Sequence, residues 1–349
     1  MDPKYQRVML TALGYELGPV VVTTPELEER LEPVYTRLGL QPGQLEAWTG
    51  IQERRWWEPG FQLSTGAIAA ARKALQKGGV EPDDLGVLIY AGVCRENFEP
   101  ATACAVADGL GLRGRAMLYD VSNACLGVLN GMLEVANRIE LGQIRAGLVV
   151  SCETAREINE LMAGRLLQKA GMEEFTKALA TFTGGSGAVA ALLTDGSFPG
   201  PRGHRLLGAV SEAAPEHHRL CRWGLREVPD QGLSQFMDTD SVAVLKHGVQ
   251  LGQRTWARFL EAMSWSAASV DRVICHQVGQ GHQEAILKAL QLPKEKDYIT
   301  YRYLGNMGTA ALPVAAAIAD ERGALKPGQR AGFLGIGSGL TCLMMGLEW

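Results

Sequence analysis

The chain repeats itself once, at half its length. SNACLG at 122–127 aligns with GNMGTA at 305–310, which sets Asn123 over Asn306 at an offset of 183. GQIRAGLVVS at 142–151 aligns with GQRAGFLGIG at 328–337, where the shared RAG is offset by 185, so a gap of two residues reconciles the pair. Two matches in the same order, each in a strand–helix–strand context, predict a duplicated domain. A period this long excludes the short-repeat solenoids. In the first half VLIYA (87–91), AMLYDV (116–121) and AGLVVS (146–151) read as buried strands, with helices over 100–110 and 125–141. In the second half RVIC (272–275), 298–301 and 331–335 read as strands, with helices over 284–290 and 309–322. Strands alternating with helices imply an α/β fold with parallel pairing. The Gly/Pro-rich GSFPGPRG (196–203) marks the junction, which divides the chain into 1–198 and 199–349. Residues 153–183 have no counterpart in the second half and read as an inserted helical segment able to wall a pocket.

Composition excludes several classes. Lys and Arg total 34 against 38 Asp and Glu, a net charge of −4, without the basic excess of a nucleic-acid-binding surface. No apolar run approaches the roughly 18 residues of a membrane span, and residues 1–14 lack the apolar core of a signal peptide. The seven cysteines (94, 104, 125, 152, 221, 275 and 342) are odd in number and hold no CxxC pair. That pattern predicts a cytoplasmic chain with free thiols and no structural zinc.

Four features carry chemistry. Cys125, in DVSNACLG, falls between an apolar strand and a long helix, where backbone N–H groups and the positive helix end would lower a thiol pKa. The same position suits a buried, inert cysteine, the commoner use of a free thiol. His276 ends the strand RVIC and opens HQVGQGH, exposed to whatever binds there, and serves either as partner to a nucleophilic cysteine or as a structural histidine. The other five histidines (204, 217, 218, 247 and 282) lie in looser, more polar or helix-surface contexts. Asn306, in YLGNMGTAALP, occupies the position in the second half that corresponds to the nucleophile loop. Its amide can donate to an oxyanion or simply shape a turn. GIGSGLTC (335–342) packs three glycines around Ser338, a tight turn that matches neither a P-loop nor a dinucleotide fingerprint.

Together, in this order on a duplicated α/β chain, the Cys, His, Asn and terminal GxGSGLT motifs resemble the thiolase superfamily over nearly the whole length. The similarity is greatest to its ketoacyl synthase III-like branch, whose early TGIxxR segment TGIQERR (49–55) also resembles. CRENFEPATA (94–103) sets Glu99 26 residues before Cys125 and resembles the OleA-type enzymes, which condense two long-chain acyl-CoAs head to head. GVCR, LCRW and HQV fit that branch better than the fatty-acid initiators, whose HQAN becomes HQVG here, with Gly279 in the Asn place.

The resemblance implies a thiolase fold of layered αβαβα form and an acyl-Cys125 intermediate. It implies an oxyanion hole from the N–H groups of Cys125 and Ser338, and His276 and Asn306 as enolate stabilisers. Glu99 would be the base that removes an α-proton, donated across a homodimer interface. Away from the resemblance, Glu99 reads as a carboxylate stabilised at a helix start. The substrates implied are acyl-CoAs, with no cofactor beyond the CoA they carry, no metal, and partner enzymes such as a β-lactone synthetase in a hydrocarbon pathway. Arg219, Arg222 and Arg226 form a cluster that suits either CoA phosphates or a solvated face. A decarboxylating initiator using a malonyl carrier protein would keep Cys125, His276 and Asn306 without needing Glu99. A hydroxymethylglutaryl-CoA synthase-like enzyme also pairs Glu with Cys and His. A catalytically silent subunit would be expected to lack the cysteine.

Overall fold

The computed structural model of the chain describes residues 3–168, 171–228 and 232–349. The first half runs β1 (Met9–Leu17), β2 (Val20–Thr23), α1 (Thr24–Arg30), α2 (Glu32–Leu38), α3 (Gln44–Thr49), β3 (Glu53–Trp56), α4 (Leu63–Gly78), β4 (Val87–Ala91), α5 (Thr102–Leu110), β5 (Met117–Val121), α6 (Gly127–Glu140), β6 (Ala146–Glu153), α7 (Arg156–Gln168), α8 (Met172–Ala178) and β7 (Gly187–Thr194). The rest runs β8 (His204–Ala213), β9 (Cys221–Val228), β10 (Gly232–Thr239), α9 (Ser241–Met263), β11 (Arg272–Cys275), α10 (Gln280–Leu290), α11 (Tyr301–Leu304), α12 (Ala311–Glu321), β12 (Arg330–Gly337) and β13 (Thr341–Glu348).

Nine strands join in the order β11-β12-β13-β8-β1-β7-β6-β4-β5. Inward from the β5 edge, β4 is parallel to β6, which is antiparallel to β7, itself antiparallel to β1. The other side repeats those directions: β11 parallel to β12, then antiparallel β13 and β8. The two sets meet through the β1–β8 pairs Met9–Arg205 and Leu10–His204, and Lys4 bridges to Gly208 just ahead of β1. Side-chain alternation explains the layering. Val87, Ile89 and Ala91 of β4 face a core shared with α6 and α12, while Leu88 and Tyr90 face α4 and α5. On the far side Leu343, Met345 and Leu347 of β13 enter the same shared core, and Cys342 and Met344 face α9 and α10. The order of layers is therefore αβαβα. The middle layer can be this crowded because α12 is alanine-rich, and every residue from Ala311 to Ala319 is buried. Strands buried on both faces read as unbroken apolar runs, as β4, β6 and β7 do.

Residues 298–301 depart from expectation. No strand forms there; Asp297 makes a single bridge to Val273, and Tyr301 opens α11. The buried Gln277 side chain accepts from the Thr300 and Tyr301 N–H groups (2.8 and 3.3 Å), which takes the donors a ladder would need.

The expected insertion contains α7 and α8; its residues 169 and 170 lie outside the described residues. Ile158, Met162, Phe175 and Phe182 pack with Leu27, Leu31, Tyr35 and Trp56 into a separate apolar cluster. Among the described residues no helix is long and apolar enough to cross a membrane.

Candidate active site

The nucleophile loop is a tight turn from β5 into α6. Ala124 adopts φ 45°, a conformation most side chains avoid. The Leu126 N–H donates to Asn123 O (2.9 Å), and Asn123 Nδ2 donates to Asn130 Oδ1 (2.8 Å). The helix begins at Gly127, not at Cys125, so the sulfur lies ahead of the first turn. Thr309, from the other half, caps that turn: its Oγ1 accepts from the Val128 N–H at 2.8 Å. The terminal glycine loop closes the other side. A Cβ on Gly337 would stand 3.3 Å from Cys125 N and 3.6 Å from Ala124 Cβ, and one on Gly335 would stand 2.6 Å from Leu126. Those glycines let β12 run flat against the nucleophile turn.

The expected low thiol pKa is not found. Burial pushes the Cys125 thiol up to about 12, with Cys221 and Glu153 adding to the rise and its own backbone N–H opposing it. Two facts explain the reversal. The favourable helix end starts two residues too late, and loss of solvent outweighs one N–H.

His276 extends β11 by one residue, its N–H donating to Leu334 O at 3.0 Å. Burial, then the neighbouring His282, lower its pKa to about 4, so the imidazole is neutral at ordinary pH. Its Nδ1 is buried without a partner. Asp297 accepts from the Cys275 N–H (3.1 Å) and Gln277 Nε2 donates to Cys275 O (2.7 Å), which fixes the strand end that presents the ring. Gly279 has its own cause: a Cβ there would come within 2.7 Å of Thr49 O, in the TGI segment.

Asn306 is pinned at three atoms. Its N–H donates to Thr183 O (2.8 Å), its carbonyl accepts from the Gly185 N–H (2.9 Å), and its Oδ1 accepts from the Gly308 N–H (3.0 Å). With Oδ1 engaged, the NH2 end is the one left to donate outward. The last residue of the expected insertion, Thr183, thus pairs with this turn, as does Gly185 just beyond it.

Glu99 lies on the surface of the single chain. It is exposed on the loop between β4 and α5, preceding a cis Pro100, beside Phe98 at 92% exposure. The reading as a helix-start carboxylate fails, since Asp120 holds the Thr102 and Ala103 N–H groups (2.9 and 3.0 Å). Arg222 and Arg226 pair with Asp238 (3.7 and 3.2 Å) and lie over Phe236, while Arg219 is exposed.

Sequence reasoning missed Glu153, Arg54 and Thr309. Glu153 ends β6 at 3% exposure, and its carboxylate accepts from Val93 and Cys94 N–H groups. Arg54 is fully buried, and its donors reach Thr24 Oγ1 (3.0 Å) and Phe182 O (3.1 Å). Desolvation lowers its pKa to about 10. A charged residue at the end of an otherwise apolar strand was the one available signal for Glu153. All seven cysteines are free, and among the described residues no His/Cys/Asp/Glu group could hold a metal.

Comparison with known proteins places this geometry. Residues 260–349 match the family model 3-oxoacyl-[acyl-carrier-protein] synthase III C terminal. The acyl-CoA:acyl-CoA alkyltransferase of Shewanella oneidensis is 54% identical, over 99% of this chain and 100% of the relative. That of Xanthomonas campestris is 35% identical over 99% of each. A β-ketoacyl-[acyl-carrier-protein] synthase III of Clostridium tetani is 26% identical over 99% of each. Crystal structures of Xanthomonas campestris OleA superpose with a TM-score of 0.92 at 34% identity. One, a cysteine variant holding lauric acid and lauroyl-CoA, covers 99% of this chain and 100% of its own. The chain belongs to the thiolase-fold family of acyl-CoA:acyl-CoA alkyltransferases and is an acyltransferase.

Proposed function

We propose that the protein condenses two long-chain acyl-CoAs, without decarboxylation, into a 2-alkyl-3-keto acid. The observation that carries this is full-length identity of 54% to an acyl-CoA:acyl-CoA alkyltransferase, joined to a glutamate at position 99 that has no helix-capping duty. Cys125 sulfur attacks the first thioester, CoA leaves as thiol, and an acyl-enzyme remains. The backbone N–H groups of Cys125 and Ser338 hold the oxyanion. The second acyl-CoA loses an α-proton to Glu99, because its C–H is too weakly acidic to ionise unaided. The outward NH2 of Asn306 and the neutral His276 donate to the enolate oxygen as charge develops there. The enolate carbon attacks the acyl carbonyl and Cys125 leaves as thiolate. Water then hydrolyses the remaining thioester, so two acyl-CoAs and one water yield one keto acid and two CoA.

The exposure of Glu99 and Phe98 supports a homodimer in which this loop reaches the partner's site. The β5 edge, unpaired on its outer side, supports an interface there. The repeat supports a division into 1–198 and 199–349. CoA phosphates would find Arg219 the freest of the three expected cations. Acyl-CoA substrates and seven free thiols support a cytoplasmic setting, with CoA arriving only as part of the substrate. Crystallised OleA variants alter a cysteine, a glutamate and a histidine, the residue types of Cys125, Glu99 and His276.

The test is mass spectrometry of products from tetradecanoyl-CoA alone and with malonyl carrier protein. A symmetrical long-chain ketone, formed by decarboxylation of the keto acid, is expected in the first tube from the wild type. E99Q should release CoA in a burst and form no ketone. Product in the second tube alone would assign the protein to the decarboxylating initiators.

A further inference from the structure

Glu153 joins two segments that the condensation needs and that are distant in sequence. Its Oε1 accepts from the Val93 N–H (2.9 Å) and its Oε2 from the Cys94 N–H (3.2 Å), at the root of the loop that carries Glu99. The Cys94 thiol donates one residue further on, to Thr154 O (3.5 Å). A Cβ on Gly308 would stand 3.3 Å from its Cδ, so the turn of Asn306 rests directly on it. Thr309 in turn caps the helix that follows Cys125. The loop root is tied to β6 a second time: Tyr90 Oη lies 2.9 Å from Cys94 O and 2.8 Å from Cys152 O. Burial raises the Glu153 pKa while the N–H donors oppose the rise. An acid kept in so dry a place, with donors on both oxygens, holds its neighbours to one geometry.

We propose that Glu153 is a positioning residue for the condensation step, its single carboxylate setting the loop of Glu99 and the turn of Asn306 relative to one another. The proposal rests on the reading of Glu99 as base and Asn306 as enolate donor. In a dimer where Glu99 serves the partner's site, Glu153 ties the machinery a chain keeps to the machinery it gives away. Glutamine cannot substitute for it. The two backbone N–H groups lie on different oxygens, so an amide would satisfy one and turn its own NH2 on the other.

The experiment compares wild type, E153Q and E153D by two readouts on tetradecanoyl-CoA: the CoA burst that reports acyl-Cys125, and the steady rate of ketone formation. Thermal melting is measured in parallel. E153Q should keep or quicken the burst, because a negative charge near the Cys125 thiol is gone, while ketone formation falls at least tenfold. E153D keeps the charge but draws it back by one methylene, so the same loss of ketone with an ordinary burst is expected. E153D decides the matter if E153Q does not fold. Ketone formation within twofold of wild type in either folded variant overturns the proposal. So does an equal loss of burst and ketone, which is what general unfolding gives. Failure of the wild type to form ketone from acyl-CoA alone would instead sink the reading on which the proposal rests.

Discussion

At Cys125 the role proposed from sequence and the state of the thiol come apart. Its place in SNACLG, with His and Asn motifs in order behind it, pointed to the nucleophile. Its pKa did not follow, because that depends on how much solvent the folded loop excludes and on where the helix starts. The resting group is a thiol pushed to about 12, so its proton must leave as substrate arrives. Alkylation of Cys125 by iodoacetamide, followed by mass spectrometry, should therefore still accelerate between pH 9 and 10.5. Exposed Cys104 serves as the internal control for the reagent. A plateau for Cys125 below pH 8 would show the activated thiolate that the sequence suggested. Glu153 and Arg54 were illegible for a related reason: a lone charge in an apolar stretch does not say which backbone groups will come to meet it.

The elements were legible where burial on both faces gave continuous apolar runs. β4 and β11 fall where the sequence put them, and β6 and β12 begin within a residue of it. The failure at 298–301 came from a side chain, Gln277, that captures the strand's donors from another loop. Pattern reading has no access to such a competitor. The repeat itself was visible because both halves carry a glycine-bearing turn ahead of a helix of the shared core. Gly305, between α11 and α12, is the sharpest instance, at φ 64° with the Thr183 carbonyl 2.5 Å from where a Cβ would sit. G305A should lower stability by roughly 2–4 kcal/mol, from the positive φ and the clash together. It should also slow condensation by displacing Asn306. Denaturant unfolding with m unchanged and activity measured on the folded fraction would check both parts; a loss below 0.5 kcal/mol would mean the turn is slack.

At the scale of the whole molecule, stability and assembly carry the remaining tests. Three histidines are held below their ordinary pKa by burial, His204 and His276 to about 4 and His282 by direction. An unfolded chain protonates His204 and His276 near 6.5 and the folded chain does not until about 4, and His282 is shifted in the same direction, so their contribution to stability is lost as pH falls through that window. Asp297, raised to about 6, and Glu153, also raised, work the other way, taking their protons first in the folded state. The histidines outnumber the carboxylates, so the unfolded chain binds the excess of protons and stability falls toward acid. Calorimetry should find the melting temperature lower at pH 5 than at pH 7 by a few degrees; a flat or rising trend toward acid would contradict the assignment of buried neutral histidines. Assembly was expected from the family resemblance, and under the proposed function a base donated to a partner would look idle in one copy. Glu99 and Phe98 are exposed in just that way. The most direct test of the account is complementation: inactive Cys125→Ala and Glu99→Ala chains are mixed, subunit exchange is verified by native mass spectrometry, and ketone formation from tetradecanoyl-CoA is measured. The account predicts recovery toward one quarter of wild-type activity, from the one intact composite site in each heterodimer, which make up half of the exchanged dimers. Verified exchange with no recovered ketone would contradict it.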